Sequence, residues 1–173
     1  MRKLMRNRGF TLLEVLIAVL IFTLGLLGVA GLMVLSVRTN HSAYLRTQAS
    51  FIAQGMADRM RSNIGWANDY NGTYDASTTG AGTCLGGVCP PSALVTRDTQ
   101  IFSQQLVDML PSGSTATIEC NGTYGEAHKA RGSGSEPFDG ICSMVIAWNE
   151  ADLSRGATPS APGTQTFAWM FQP

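Results

Sequence analysis

Hydrophobic positions are concentrated near the start of the chain, where they follow two successive patterns. Residues 10–37 are almost entirely apolar or small and carry a single charge, that of Glu14. After Arg38 the pattern becomes amphipathic, with apolar residues at the spacings of three and four that mark one face of a helix. Together the patterns predict one helix of 51 residues, from about Leu12 to Ser62. The apolar stripe of its second half consists of Leu45, Ala49, Ile52, Ala53, Met56, Ala57 and Met60.

The next part of the chain contains many residues that break regular structure. Residues 63–95 hold Gly, Pro and Asn at short intervals and little periodicity, which predicts an irregular connector. A second, short helix is expected over 98–110, with Thr96 or Asp98 as its cap and Pro111 as its stop.

Three strands are predicted after this helix, at 116–120, 141–149 and 166–172, because apolar residues alternate there. The connections between them fit antiparallel pairing, although they are too long for tight hairpins. The expected fold class is therefore α+β, with a long N-terminal helix packed against a small antiparallel sheet and a short second helix. The residues expected to face the core are Cys142, Met144, Ile146 and Trp148 in the second strand and Phe167, Trp169 and Phe171 in the third.

Charge separates the first residues from the rest of the chain. The first eight positions hold four of the twelve basic residues, which leaves eight basic against twelve acidic residues in the remainder. Proteins that bind nucleic acids need a basic surface to displace counterions from phosphates, so no nucleic-acid partner is expected. The four basic residues are Arg2, Lys3, Arg6 and Arg8.

The apolar run is long enough to cross a membrane. A secretory signal has an apolar core of only about 7–15 residues. Residues 15–37 are uncharged and as a helix would extend roughly 34 Å, against a hydrocarbon thickness of about 30 Å. The basic residues before the run favour a cytoplasmic N-terminus, which leaves the body of the protein outside the cytoplasm.

The four cysteines are an even set in an exported segment rich in loops, which predicts two disulfides. Zinc binding is the alternative, but the spacings Cys-x4-Cys and Cys-x21-Cys are poor for its ligands. Three pairings are possible. The expected ones are Cys84–Cys89, which closes a local loop, and Cys120–Cys142, which joins adjacent strands.

Glu14 is a carboxylate inside the apolar run. An ionised carboxylate in a bilayer costs roughly 2.5–3.5 kcal/mol unless it finds a partner. The simplest interpretation is a side chain that reaches the membrane edge. The surrounding residues offer another, because the stretch from Arg8 to Glu14 reads Arg-Gly-Phe-Thr-Leu-Leu-Glu after a short basic leader.

This stretch resembles the processing signal of type IV prepilins and related pseudopilins. The resemblance implies that a membrane-embedded prepilin peptidase cleaves between Gly9 and Phe10 and that Phe10 is then N-methylated. Glu14 becomes the fifth mature residue. Its carboxylate would neutralise the Phe10 ammonium of the same or an adjacent subunit, so that two costly buried charges form one assembly salt bridge.

The resemblance also implies a division of the chain into four parts. Residues 1–9 would be the cleaved leader, 10–37 the transmembrane and filament-core half of the helix, 38–63 its amphipathic half, and 64–173 a periplasmic or extracellular head. Within the first half, Gly25, Gly28 and Gly31 could provide a close packing face. They could equally mark a segment that loses helical order in the filament, because glycine weakens a helix.

Three stretches of the helix, at 25–32, 40–49 and 56–63, are similar to the PilV group of minor pilins. The last of them reads Met-Ala-Asp-Arg-Met-Arg-Ser-Asn. The similarity implies a minor pilin that helps to initiate assembly in the tip complex and supports pilus biogenesis, adhesion and twitching motility. The alternative is a minor pseudopilin of a type II secretion system, which shares the leader and the helix.

The implied partners and location follow from the same resemblance. Besides the prepilin peptidase, the partners would be the major pilin and other minor pilins through the helix, the inner-membrane assembly platform, and a tip adhesin as a further candidate. Before assembly the protein would be a single-pass inner-membrane protein with a periplasmic head. After assembly it would be part of an extracellular pilus, at the tip.

No arrangement of residues in the sequence supports an enzyme. The two histidines, His41 and His128, stand apart from any nucleophile or acid in a recognisable motif. Asp69, Asn71 and Asp75 could approach a cation, but the sequence around them is better explained as a turn. No catalytic residue, metal site or cofactor is therefore expected.

Overall fold

The computed structural model describes residues 9–78, 89–122, 138–150 and 163–173. The chain divides into two compact units, Met1–Ser42 and Ala43–Pro173, which we call the N-terminal unit and the folded unit. The division falls within one helix, α1, which comprises 51 residues, Leu12–Ser62. The predicted bounds of the long helix are therefore confirmed.

The first part of α1 exposes its apolar side chains. Every described residue before Ser42 is exposed. This part of α1 is long and apolar enough to cross a membrane, and none of the apolar stretch is buried within the protein. Apolar surface in water costs about 25 cal/mol per Å², so the stretch requires a bilayer or other subunits around it.

The last five turns of α1 form one wall of the core of the folded unit. The seven residues of the predicted stripe are between 0% and 4% exposed, which confirms the stripe. They join one cluster with side chains of the sheet and of the second helix, such as Ile118, Met144 and Phe102. The change from an apolar to an amphipathic pattern thus marks the point where the helix begins to pack on its own chain.

A four-stranded antiparallel sheet faces this core, and its strands follow one another in sequence order. Its register pairs Ile118 with Gly72 on one side and with Met144 on the other, and Met144 with Trp169. The last three strands lie within three residues of their predicted bounds. The strands are β1 Gly72–Tyr74, β2 Thr115–Cys120, β3 Cys142–Glu150 and β4 Gly163–Phe171.

Burial alternates along β3 and β4 as predicted, but less completely in β4. The four core-facing residues of β3 are at most 1% exposed, whereas Phe167 and Trp169 of β4 are only partly buried. The difference arises because β4 is an edge strand and β3 is an inner one. The α+β fold class expected from the sequence is confirmed.

The predicted start of the second helix is wrong. The helix, α2, comprises Pro91–Met109 and begins seven residues before the predicted start at 98. Pro91 was expected to be a breaker, but proline is well tolerated in the first turn, where its missing N–H is not needed. The predicted end of the helix before Pro111 is confirmed.

The expectation of an irregular connector over 63–95 is also wrong for much of its length. A 3₁₀ helix, Ile64–Tyr70, directly follows α1, and β1 follows the 3₁₀ helix. Contacts with distant residues hold both elements. Tyr74 of β1 packs edge-to-face on Phe102 of α2, with ring centroids 5.7 Å apart. Local sequence patterns carry no signal for such contacts.

Candidate functional site

The start of α1 is fixed by a threonine directly after the predicted cleavage site. The backbone N–H of Glu14 donates a hydrogen bond to Thr11 Oγ1 at 3.3 Å. The same N–H and that of Val15 also donate to the carbonyl oxygen of Thr11, at 3.1 and 3.3 Å. Thr11 is thus the N-cap, and Glu14 occupies the third helical position, where the second residue of a capping box lies. The sequence analysis missed this role of Thr11, although Thr-x-x-Glu spacing is its known signal.

Gly9 and Phe10 precede the helix, and both are exposed, Phe10 by 83%. The peptide bond between them therefore lies outside regular structure, as the extended substrate of a peptidase must. A Cβ atom added to Gly9 would meet no atom within 4 Å. Packing against the described residues therefore does not require glycine at this position, and the space that it leaves is available to an enzyme.

The position of Glu14 suits a carboxylate that must balance a new positive charge. A helix N-terminus carries roughly half a unit of positive charge, and an acidic residue in the first turn stabilises it by about 0.3–1 kcal/mol. An ammonium formed at Phe10 would add a full positive charge next to this end. Glu14 is the acidic residue in the first turn of α1. The site can therefore neutralise an N-terminal amine in apolar surroundings.

Gly25, Gly28 and Gly31 lie further along the exposed part of α1. The helix is continuous through all three, and a Cβ atom at any of them would meet nothing within 4 Å. They leave shallow places on the helix surface that no other part of the described chain fills. Whether these places receive a neighbouring helix or mark a segment that unwinds in an assembly stays a prediction.

The second site predicted from the sequence, the disulfide between adjacent strands, is present. Cys120 and Cys142 are bonded, with their Cα atoms 4.0 Å apart, and are direct partners in the β2–β3 ladder. The predicted Cys120–Cys142 pairing is confirmed. Cys89 is also in a disulfide. Its predicted partner Cys84 lies outside the described residues, so the pairing Cys84–Cys89 stays a prediction.

Asparagine side chains replace missing backbone hydrogen bonds around this disulfide. Asn71 Nδ2 donates to the carbonyl oxygen of Cys120 at 3.1 Å, and its Oδ1 accepts from the N–H of Cys120. Asn121 Oδ1 accepts from the N–H of Ile141 at 3.0 Å. Asn71, considered above as a candidate cation ligand, thus extends the sheet by one step beyond β1.

The backbone beside the disulfide packs too closely for side chains. A Cβ atom on Gly140 would lie 2.4 Å from the Cα of Gly122, and one on Gly122 would lie 2.0 Å from a ring atom of Phe138. Real Cβ atoms do not approach so closely, so both positions require glycine. The glycine that follows Asn121 is therefore explained by packing.

Tyr70 is the centre of a buried polar network that joins the end of α1 to α2. Its hydroxyl donates to Asp98 Oδ2 at 2.9 Å and accepts from Asn63 Nδ2 at 3.2 Å. Asn63 Nδ2 also donates to the carbonyl oxygen of Pro91 at 3.0 Å. Burial raises the pKa of Tyr70 well above its ordinary value, so the phenol stays neutral and structural. The sequence analysis missed this network.

Tyr74 extends the network towards β1. Its hydroxyl donates to the carbonyl oxygen of Tyr70 at 2.6 Å, and burial raises its pKa to about 12.

Among the described residues, no group of three or more His, Cys, Asp or Glu side chains could hold a metal ion. Asp75 accepts hydrogen bonds from Ser77, which lower the pKa of its carboxyl.

Comparison with known proteins identifies the N-terminal segment. Residues 4–30 match the family model described as the prokaryotic N-terminal methylation motif. The motif supports a type IV pilin-like or pseudopilin subunit and implies processing by a prepilin peptidase. Together with the exposed apolar helix, it fits anchoring in the inner membrane before assembly. It also favours a structural subunit over an enzyme. No curated protein and no solved structure matches the chain significantly.

Proposed function

We propose that the chain is a minor pilin of a type IV pilus, similar to the PilV group, that helps to initiate assembly as part of the tip complex. In this role it supports pilus biogenesis, adhesion and twitching motility. One observation carries the proposal. Glu14 lies in the first turn of an exposed apolar helix, four residues after Phe10, within the residues that match the methylation motif.

The proposed sequence of events follows from the charges. The basic leader, residues 1–9, stays in the cytoplasm while the apolar half of α1, residues 10–37, spans the inner membrane. Cleavage after Gly9 releases an amine on Phe10, which is then methylated. When subunits pack through their helices, the Glu14 carboxylate pairs with that amine, so neither charge is buried alone.

The end of α1 contains the stretch on which the similarity to the PilV group rests, and its residues have structural roles. In the stretch 56–63, Met56, Ala57 and Met60 belong to the core and Asn63 binds the polar network of Tyr70. Arg61 and Asp58 form an exposed salt bridge at 2.8 Å. The alternation of apolar and charged residues in this stretch is thus what joins the amphipathic half, 38–63, to the head, 64–173.

The alternative is a minor pseudopilin of a type II secretion system. The methylation motif supports both assemblies, because they share the leader and the apolar helix. The partners distinguish them. As a pilus subunit, the chain would bind the major pilin, other minor pilins, the inner-membrane assembly platform and, at the tip, an adhesin. Crosslinking mass spectrometry on sheared pili is the direct measurement, and recovery mainly with secretion pseudopilins would favour the alternative.

The test of the proposal compares Glu14→Ala with Glu14→Gln. Both remove the charge, but glutamine can still complete a capping box with Thr11. If the carboxylate pairs with the Phe10 amine, both variants leave an ammonium buried alone, a defect of about 3–5 kcal/mol. Both should then be absent from sheared pili at membrane levels equal to wild type.

Three further readouts separate the possible outcomes. Intact mass should show loss of residues 1–9 and gain of one methyl group in the wild type, and the Cys120–Cys142 disulfide should form in all three proteins. Normal assembly of Glu14→Gln alone would mean that capping matters and charge does not. Normal assembly of both variants would contradict the proposed pairing, and retention of residues 1–9 in the wild type would contradict the processing.

A further inference from the structure

β4 forms one edge of the sheet, and among the described residues no strand lies on its outer side. It has nine residues and pairs with β3 from Gly163 to Phe171. In an antiparallel sheet, every second residue of an edge strand directs both its N–H and its C=O away from the neighbouring strand. β4 therefore offers a row of main-chain donors and acceptors.

Within its own nine residues, β4 lacks the features by which edge strands usually prevent strand addition. Edge strands are commonly short, charged, interrupted by proline or bulged. β4 reads Gly-Thr-Gln-Thr-Phe-Ala-Trp-Met-Phe and contains neither a charged residue nor a proline. Its Met170 is 75% exposed. The opposite edge differs, because β1 has only three residues, Gly72–Tyr74, and α2 lies close to it.

The core-facing side of β4 is also incomplete. Phe167 and Trp169 are partly buried, whereas their ladder partners Ile146 and Met144 are fully buried. Trp169 stacks on Phe171, with ring centroids 4.9 Å apart. A strand added beside β4 would cover the open side of these rings and continue the core outward.

We propose that the β4 edge binds an extended, uncharged segment of a different protein, which adds to the sheet as a fifth strand. The residues of this segment that face the core side should be apolar, because they would cover Phe167 and Trp169. A charge beside these two rings would lose its water without gaining a partner, because Arg46, the cation on this side of β4, lies further along the strand, where it donates to Gln165 Oε1 at 3.3 Å. The residues on the outer side should be small or carry hydroxyl groups, to match the row Thr164, Thr166, Ala168 and Met170.

The described residues argue against a second copy of this chain as the occupant. A contact that continues from copy to copy needs two different complementary surfaces. The only other free edge among these residues is that of β1, which is three residues long and cannot pair with nine. Pairing of two β4 strands about a twofold axis would close a dimer, and the experiment below detects it as a crosslink between two copies. A different subunit is the occupant to which the proposal commits.

This inference goes beyond the proposed function and does not depend on whether the assembly is a pilus or a secretion pseudopilus. It is tested in cells that make the full-length protein and its native assembly, with a photoreactive benzoylphenylalanine at Met170. The matched control carries the same probe at Val145, which is 38% exposed on the outer side of β3. Val145 pairs with Ala168 and therefore lies one strand away from the edge.

The expected result is a crosslink from position 170 to one uncharged segment of another subunit, identified by mass spectrometry, with about tenfold lower yield from position 145. Equal yields would mean that the outer face, not the edge, is the binding surface. A crosslink to a second copy of this chain, a crosslink to a charged segment, or none at all would overturn the proposal.

Two proline variants test the main-chain hydrogen bonds directly. Consecutive N–H groups of an edge strand point in turn to the neighbouring strand and to the open edge. Proline has no N–H, so one of the two variants Gln165→Pro and Thr166→Pro removes a hydrogen bond to β3, and the other removes a donor from the open edge. The variant that removes a donor from the open edge should still fold, as judged by protease resistance and the Cys120–Cys142 bond. Its crosslink yield from position 170 should fall by about tenfold. A folded variant that keeps the crosslink would overturn the proposal. If neither variant folds, the crosslink yields from positions 170 and 145 alone test the proposal.

Discussion

α1 is one continuous helix, but its apolar side chains are exposed in the N-terminal unit and form a buried stripe in the folded unit. Ile21, in the N-terminal unit, is 63% exposed, whereas Ile52, in the folded unit, is 2% exposed. The two residues are chemically identical and belong to the same helix. The first gains nothing from the folding of its own chain, and the second is part of the core.

The difference follows from the distribution of polar residues around the helix. A helix that is apolar on all sides has no face for water and must be surrounded by lipid or by other helices. A helix with a single apolar stripe buries that stripe and leaves the remainder in water. The N-terminal unit therefore needs lipid or other helices around it, whereas the folded unit buries the stripe of α1 within its own chain.

The largest effect is expected from truncating the same residue type in the two units. Ile52→Ala should lower the free energy of unfolding of the folded unit by about 2–5 kcal/mol, because it leaves a cavity in the core. Ile21→Ala should leave this free energy unchanged. The measurement is denaturant unfolding of the full-length protein in detergent, followed by the fluorescence of Trp148 and the other tryptophans.

Retention of the disulfide serves as the control for both variants. If Ile21→Ala destabilised the folded unit as much as Ile52→Ala, the division of the helix into two independent parts would be wrong. An Ile52→Ala variant as stable as the wild type would mean that the stripe contributes little to the core.

A smaller effect is expected from alkaline pH, and only in the folded unit. Burial raises the pKa of Tyr74 to about 12, and that of Tyr70 is raised further. Above pH 10 the unfolded chain releases these protons while the folded unit keeps them, so stability falls as pH rises from 10 towards 12. For each phenol the loss should be on the order of 2 kcal/mol by pH 12.

The decisive measurement is the unfolding midpoint as a function of pH for three proteins. Tyr74→Phe should reduce the slope above pH 10, since it removes one of the buried phenols. Tyr44→Phe removes a phenol that is 57% exposed and should leave the slope as in the wild type. Identical profiles for all three would contradict the buried network as the cause.

The smallest effect is expected from glycines in the two parts of α1. Gly55→Ala should raise the free energy of unfolding of the folded unit by about 0.5–1 kcal/mol, because alanine favours helix and a Cβ there meets nothing within 4 Å. A Cβ atom at Gly28 also meets nothing within 4 Å. Gly28→Ala should therefore raise the helix content without changing the free energy of unfolding of the folded unit. Circular dichroism and denaturant unfolding check both.

An effect of Gly28→Ala on assembly would sharpen the comparison further. Reduced incorporation into pili at normal membrane levels would fit a helix that must pack closely or unwind at this point. Unchanged incorporation would show that neither use depends on glycine at position 28.

Much of the fold could be predicted because its signals are local and periodic. The seven buried residues of α1 and the alternation along β3 follow from spacing along the chain, whereas spacing left three cysteine pairings possible and the structure confirmed the expected Cys120–Cys142 bond. The start of α2 could not, because Pro91 is a breaker inside a helix and a favourable residue in its first turn. The processing site, Gly9 to Glu14, is a prediction from its motif, and the capping role of Thr11 was found only in the structure.

The sequence by itself determined which half of α1 requires a membrane or an assembly, because charge and hydropathy act on each residue wherever the chain folds. Only the tertiary structure decided which polar residues are structural. Asn71 completes the sheet at Cys120, and Tyr70 connects Asn63 with Asp98. It also decided that β4 is an edge strand of the sheet. These features depend on residues far apart in the chain, and such contacts leave no periodic trace in the sequence.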